Sequence, residues 1–271
     1  MAQITLSLAV GRHVSFDVDL DAEGPAVFFL SVRRSGSSIF ENITHAMSNA
    51  NHRHHVAITT FFDADIPAPD WQSDPALKRL IAPGNVYGVF RDMPVALLDD
   101  ELFVAGPRLM LIRDPRDALV SEYFAMAYSH PIPDSALGPG GLGHVIKELR
   151  TRANDEPIDD FVVRRCKPMA RTLLRYQPIV NAGTTLYRYE DVILNKRDWI
   201  LDMLGVLGWE LHPDELANIL EWADVKPEQE NPGALLRRVT PGDHLEKLRP
   251  DTIERITEAL APAMTLFGYP T

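Results

Sequence analysis

Two short segments hold residue types suited to anion chemistry. The first, Phe28–Phe40, reads FFLSVRRSGSSIF. It passes from an apolar strand pattern through a small polar turn into an apolar, helical pattern. Gly36 lets the backbone come close to a ligand, Ser35, Ser37 and Ser38 supply hydroxyls, and the amides at a helix start attract anions. Arg33 and Arg34 add fixed charge whose planar fork matches phosphate or sulfate. Together these residues make a cradle for a phosphate-type group; the competing reading is a solvated Ser/Gly turn. The nucleoside-triphosphatase pattern G-x-x-x-x-G-K-[ST] is absent. The second segment, Leu109–Tyr123, reads LMLIRDPRDALVSEY. A strand delivers Arg113 at its end, Asp114-Pro115 opens a helix, and Ser121 follows on that helix. Strand-to-helix junctions of this kind are where open α/β sheets bind ligands. Alone it reads as a capped helix with surface arginines; the two segments together favour a ligand site.

These junctions need a framework to hold them. Ile4, Leu6, Leu8 and Val10, then Val14, Phe16, Val18 and Leu20, alternate with polar or small residues on either side of Gly11, which predicts a β-hairpin. Ala26–Val32 is nearly continuous apolar sequence, as a buried parallel strand requires. Val56–Phe62, Val86–Phe90, Arg108–Ile112 and Thr184–Tyr187 fit the same role. Helical patterns fall between and after them: from Ser37, after Pro115, over Asp159–Tyr176 with Pro168 expected to bend or interrupt it, over Trp199–Leu207 and Pro213–Trp222, and from Pro250. In the last, Ile253, Ile256, Leu260 and Met264 form one stripe. Pro131–Gly143 (PIPDSALGPGGLG) reads as a long loop. Strands alternating with helices predict an α/β fold around a central parallel sheet. The expected organisation is a hairpin extension over residues 1–24 and one α/β domain over residues 25–271.

Composition narrows the function classes. The chain has 271 residues, 45% hydrophobic and 24% charged, which is a globular balance and excludes disorder. A formal charge of −11 argues against nucleic acid and anionic membranes as partners, so an anion must be taken by a local site. One cysteine, Cys166, permits no internal disulfide and suits a reducing compartment. No apolar run reaches the ~20 residues of a membrane helix, and the N-terminus lacks the basic and apolar regions of a signal peptide. A cytoplasmic protein without membrane insertion is expected.

At this point the sequence resembles a family, the sulfotransferases that use 3′-phosphoadenosine 5′-phosphosulfate (PAPS) and release the bisphosphate PAP. Arg33–Ser38 (RRSGSS) resembles the family's 5′-phosphosulfate loop; cytosolic members usually carry Lys in place of Arg34, and many carbohydrate sulfotransferases carry Arg-Ser-Gly-Ser-Ser. Arg113–Ser121 (RDPRDALVS) is similar to the 3′-phosphate motif, which implies that Arg113 and Ser121 contact that phosphate. Tyr187–Val192 (YRYEDV) resembles the Tyr-Glu-Asp segment and puts Tyr189 near adenine. Leu236–Leu248 (LRRVTPGDHLEKL) resembles the late Arg-Lys-Gly-x-x-Gly-Asp-Trp loop, in which Arg237 and Arg238 would close over the 3′-phosphate. The resemblance covers residues 26 to 270 and implies a P-loop-like sulfotransferase fold. It departs at Ile39, where cytosolic members stack a Trp on adenine, at Val239 in place of a Gly, and at His244 in place of a Trp.

Sulfuryl transfer is physically close to phosphoryl transfer: in-line displacement with charge building on the leaving side. Arg34 with the loop amides would stabilise that charge, and no metal is required. A base must take the acceptor's proton. The resemblance aligns Phe90-Arg91-Asp92-Met93-Pro94 with the family's Thr-His-Leu-Pro segment and puts Asp92 at the base position; capping a helix from Met93 or Pro94 is its structural alternative. Glu41, His54 and His55 are the rival bases, with His52 in the same NHRHH cluster. That cluster has no other ligands of a zinc pattern and reads equally as a polar turn. His130, before the long loop, is a candidate acceptor contact or a helix C-terminal cation. Arg164, Arg165, Lys167, Arg171 and Arg175 read as a solvated basic face or as a contact for an anionic acceptor. The implied activity is transfer of a sulfuryl group to an acceptor hydroxyl, a sugar or glycolipid before a small alcohol or phenol. A PAP-binding regulatory protein without transfer activity is the alternative. A P-loop kinase would need the missing Lys-[Ser/Thr] pair. Homodimerisation stays open.

Overall fold

The computed structural model describes residues 1–7, 13–58, 71–129, 142–225, 230–231, 233 and 237–271. By their contacts these fall into two compact units: Met1–Ile112 with Tyr176–Asp224, and Arg113–Arg175 with Val225–Thr271.

The first unit carries the sheets. Strands β1 (Ala2–Ser7) and β2 (His13–Val18) pair antiparallel as the expected hairpin requires, with Leu6, Val14, Phe16 and Val18 on its buried side; Leu8, Val10 and the turn at Gly11 lie outside the described residues. Leu20 departs from the pattern: it lies beyond β2 and is 56% exposed. The chain has left the strand by then, and the fully buried Asn85 clasps its exit, accepting from Asp19 N at 3.0 Å and donating to Asp19 O at 2.8 Å.

Five parallel strands follow: β3 (Val27–Ser31), β4 (His55–Ala57), β5 (Val86–Phe90), β6 (Arg108–Ile112) and β7 (Thr185–Arg188), in the order β4-β5-β3-β6-β7. The central three are buried at every position, which explains their unbroken apolar sequence. Phe28, Phe29 and Leu30 are completely buried, each contributing about 1.5–3 kcal/mol by burial. The strand expected over Val56–Phe62 is shorter, since Ile58 has already turned helical and residues 59–62 lie outside the described residues. After β3 the chain crosses to β4, whereas after β6 it moves to β7 on the other side. The C-terminal ends of β3 and β6 are therefore the topological switch point, where such sheets bind ligands.

Helices α1 (Ser37–Ala50), α2 (Glu101–Ala105) and, later in the chain, four more flank the sheet. The buried Arg108 donates to the carbonyls of Phe103 (2.6 Å), Val104 (2.6 Å) and Ala182 (3.0 Å), satisfying the C-terminal carbonyls of α2 and tying the start of β6 to the segment before β7.

The second unit is helical: α3 (Pro115–Phe124), α4 (Leu142–Asp155) and α5 (Ile158–Leu174), with further helices after an excursion of the chain into the first unit. Asp114 caps α3, accepting from Arg116 N at 2.9 Å, and Pro115 holds its first turn. Helix α4 corrects the expected loop at its end: Leu142 and Gly143 are helical, drawn in by the strong helix formers of the KELRTRA run. Residues 131–141 of that loop lie outside the described residues. Helix α5 runs through Pro168 without ending. Its buried face, including Phe161, Val162, Cys166, Met169 and Leu173, offsets the lost backbone hydrogen bond.

The excursion supplies α6 (Gln177–Asn181), α7 (Tyr189–Val192), α8 (Lys196–Leu207) and α9 (Pro213–Ala223); the second unit then resumes with α10 (Asp243–Lys247) and α11 (Pro250–Leu266). Helix α9 opens with a capping box between His212 and Glu215. Helix α11 packs on α5; it buries Thr252, Ile256, Leu260, Ala263 and Met264, while Ile253 of the expected stripe is half-buried. No helix among the described residues is long and apolar enough to cross a membrane.

Candidate active site

In the first unit the site is built at the end of β3. Ser35 N bonds back to Val32 O at 3.1 Å, closing a tight turn. Arg34 (φ 71°) and Gly36 (φ 85°) are both left-handed. That conformation costs a non-glycine residue about 1–3 kcal/mol, and here it sits in the predicted ligand loop. A Cβ on Gly36 would lie 3.0 Å from two carbons of the Tyr189 ring, so the turn and the Tyr-Glu-Asp segment meet through a residue with no side chain. Gly36 caps α1, which leaves the first-turn amides without intrahelical acceptors. Ser35 is buried, and its Oγ has no hydrogen-bond partner among the described residues. A buried hydroxyl left so costs free energy unless a ligand completes it. Ser37 is also buried, Arg34 half-buried, and Ser38 and Arg33 exposed.

Residues after β5 reach the same edge of the sheet. Phe90 pairs with Leu30, so Asp92 follows at the C-terminal edge where the β3 loop begins. Arg33 donates to Asp92 Oδ2 from Nη2 at 3.3 Å and from Nε at 3.4 Å. Arg91 Nη2 donates to Glu41 Oε2 at 2.9 Å. Asp92 does not open a helix as its capping alternative required: the next element is a single 3₁₀ turn, Val95–Leu97, with Pro94 in the cap position. The structure thus brings together Arg33, Arg34, the serine loop, Tyr189, Asp92 and Glu41.

The histidines lie elsewhere. His55 opens β4 level with Val86, which in turn pairs with Val27 at the start of β3. That is the opposite end of the parallel strands. His54 Nε2 meets Asp17 O of the hairpin at 2.8 Å. Burial, then the neighbouring His45 and His54, pushes the His55 imidazole down to about 3. His52 is an exposed, left-handed residue after α1. His130 lies outside the described residues.

In the second unit Arg113 follows β6 directly and is buried, with Ser121 half-buried on α3. The late arginines are embedded in carboxylates. Arg237 donates to Glu230 and Asp243 and lies over the Phe124 ring at 4.1 Å. Arg238 donates to Asp243 at 3.3 Å and to Glu246 at 2.7 Å. Asp243 is completely buried. So is Asp117, on the first turn of α3, whose carboxylate accepts from Gly242 N (2.8 Å), His244 N (2.9 Å) and His244 Nδ1 (2.6 Å), with Arg113 Nη2 at 3.5 Å. Burial by itself would raise the Asp117 pKa. The His244 hydrogen bond, the Arg113 charge and the two backbone amides outweigh burial and hold it well below the usual carboxylate range. Asp117, Asp243 and Glu230 were not singled out by motif reading; their only signal was acidic residues inside or beside arginine-bearing motifs. Of the basic stretch on α5, Arg164 pairs with Glu156 at 2.6 Å, and Arg165 pairs with the buried Glu122 of α3 at 2.5 Å.

Comparison with known proteins decides what this arrangement belongs to. The model of the sulfotransferase domain matches residues 25–268. The chain belongs to the sulfotransferase family. A sulfotransferase moves a sulfuryl group from PAPS to an acceptor, and this chain is a PAPS-dependent member. Among solved structures it is similar to mouse sulfotransferase SULT7A1 complexed with PAP, at 14% identity over 92% of this chain and 85% of that one, TM-score 0.51. It is also similar to retinol dehydratase in complex with androsterone and inactive cofactor PAP, at 15% identity over 90% of this chain and 82% of that one, TM-score 0.49. A sequence search of curated proteins finds no match. The family match and the likeness to SULT7A1 bear out the α/β sulfotransferase fold expected from the motifs.

Proposed function

We propose that this sulfotransferase takes the 5′-phosphosulfate of PAPS in the Arg33–Ser38 loop and its 3′-phosphate on Arg113 and Ser121, with Arg237 and Arg238 closing on that phosphate and Tyr189 beside the adenine. The acceptor is an alcohol, a sugar or glycolipid hydroxyl first. The buried Ser35 Oγ, without a partner among the described residues and set in a left-handed turn, is the observation that carries the reading, because a ligand oxygen accepting from it would offset its burial. The Arg-Ser-Gly-Ser-Ser pattern supports a sugar acceptor.

PAPS supplies an activated sulfuryl group on a phosphate leaving group. Arg34 and the amides opening α1 present positive charge to the oxygens on the leaving side, where charge grows. The Ser35, Ser37 and Ser38 hydroxyls orient the group. Asp92 takes the proton from the acceptor hydroxyl, and its bond to Arg33 fixes the direction of the carboxylate. Glu41, held by Arg91, is the second carboxylate at this edge and the alternative base.

Calorimetry with PAP and with ATP, both in EDTA, tests the donor site. PAP is expected to bind well above ATP; equal affinities would remove the 3′-phosphate assignment. Labelled PAPS offered with sugars, glycolipids, small alcohols and phenols tests the acceptor. Turnover confined to phenols would overturn the sugar reading.

A further inference from the structure

We propose that Asp117 is a positioning residue for the donor's 3′-phosphate, fastening the Gly242–His244 turn to the first turn of α3 so that Arg113 and the Arg237–Arg238 pair form one array. The inference rests on the 3′-phosphate reading above and adds to it a residue that touches no ligand. The bonding is explicit. One Asp117 oxygen, Oδ1, accepts both the backbone and the ring N–H of His244; the other, Oδ2, accepts Gly242 N and faces Arg113. A completely buried carboxylate is costly unless its lone pairs are filled, and here four donors fill them. A negative charge beside a phosphate site also opposes the ligand. Its presence there makes sense only as geometry: it replaces the missing N-terminal cap of α10, whose own cap residue is the left-handed Gly242.

The same turn carries Asp243, which Arg237 and Arg238 both contact. Fixing Gly242 and His244 therefore fixes the carboxylate that aims the two arginines. His244 is where this chain departs from the family's Trp. The imidazole Nδ1 supplies a ring donor that reaches Asp117 in a buried setting, so a hydrogen bond holds the turn.

Asp117→Asn and His244→Leu, measured for PAP and for AMP, test the proposal. AMP keeps the 5′-phosphate and lacks the 3′-phosphate. Both variants are expected to weaken PAP by roughly 10- to 100-fold, the worth of a charge-assisted contact, and to leave AMP unchanged. His244→Asn, whose amide N–H can stand in for the ring donor, is expected to restore PAP binding. A merely structural role would lower both nucleotides together, and that result, or no change in either, would overturn the proposal. Should Asp117→Asn not fold, His244→Leu against His244→Asn carries the same decision. Arg113→Ala separates the two levels. If it leaves the PAP-to-AMP ratio unaltered, the 3′-phosphate reading itself fails; if it collapses the ratio while His244→Leu does not, only the role of Asp117 fails.

Discussion

The two regions proposed to hold the donor's anionic groups are built from different materials. The loop after β3 is backbone: a strand end, two left-handed residues and the first amides of α1. The late turn of the second unit is side chain: arginines held by the buried Asp243 and by exposed carboxylates, with the turn fastened by Asp117. Backbone amides survive every substitution but proline and need no counter-charge. Arginines bring more charge but must be held, and holding them takes acids that oppose the ligand. The first region is thus vulnerable to changes in chain conformation, the second to changes in side-chain charge.

The largest expected effect lies between loop and acceptor. Asp92→Asn should reduce turnover roughly 10²- to 10⁴-fold, the usual worth of a general base, with PAP affinity nearly unchanged in calorimetry. Wild-type turnover in Asp92→Ala would move the base to Glu41. Next, Gly36→Ala should attack the backbone region. It places a Cβ against the Tyr189 ring at a left-handed φ, and a strain of about 1–3 kcal/mol translates to roughly 10- to 100-fold. PAP and AMP should weaken together, because both carry the 5′-phosphate. Arg113→Ala should instead weaken PAP alone, by a similar factor. Identical nucleotide profiles for Gly36→Ala and Arg113→Ala would erase the distinction between the regions.

The smallest effect on activity is a control at the opposite end of the strands from the β3 loop. The folded His55 imidazole titrates at about 3, against about 6.5 in the unfolded chain. Below pH 6.5 the unfolded chain binds a proton that the folded one refuses, so stability falls as pH drops from 6.5 towards 3 and is unaffected above 6.5. His55→Leu should flatten that acid limb by an amount on the order of 1–4 kcal/mol in denaturation experiments, and leave the pH–rate profile in place. A profile whose ascending limb near 6.5 vanished in this variant would return the base to the histidine cluster.

Much of this was legible in the residue order. β3, β5 and β6 announce themselves as unbroken apolar runs because both faces are covered. The loop and Arg113 were found because a strand end, a helix start and arginines are local in sequence. What the sequence hid was long-range. Nothing near Asp92 says that Arg33 will hold it, and nothing near Asp117 distinguishes a buried clasp from an ordinary acid in a helix's first turn. The NHRHH cluster shows the same limit: its chemistry suits a base, but the register puts His55 at the wrong end of the strands. Local rules have Pro168 bend or interrupt its helix; α5 continues through it, its buried face holding it on the fold.

The contact between Gly36 and Tyr189 has a consequence for how the protein is made. The loop and α1 leave the ribosome early, but the ring that backs Gly36 arrives only after β7. A nascent chain holding β3, α1 and β5 has the sequence of the anion loop without the wall that supports it. Long-range closures of this sort are slow, since the ends of a long segment must meet before any contact rewards them. The loop's backing is therefore acquired late, and a truncated product stopping short of Tyr189 leaves the loop without it.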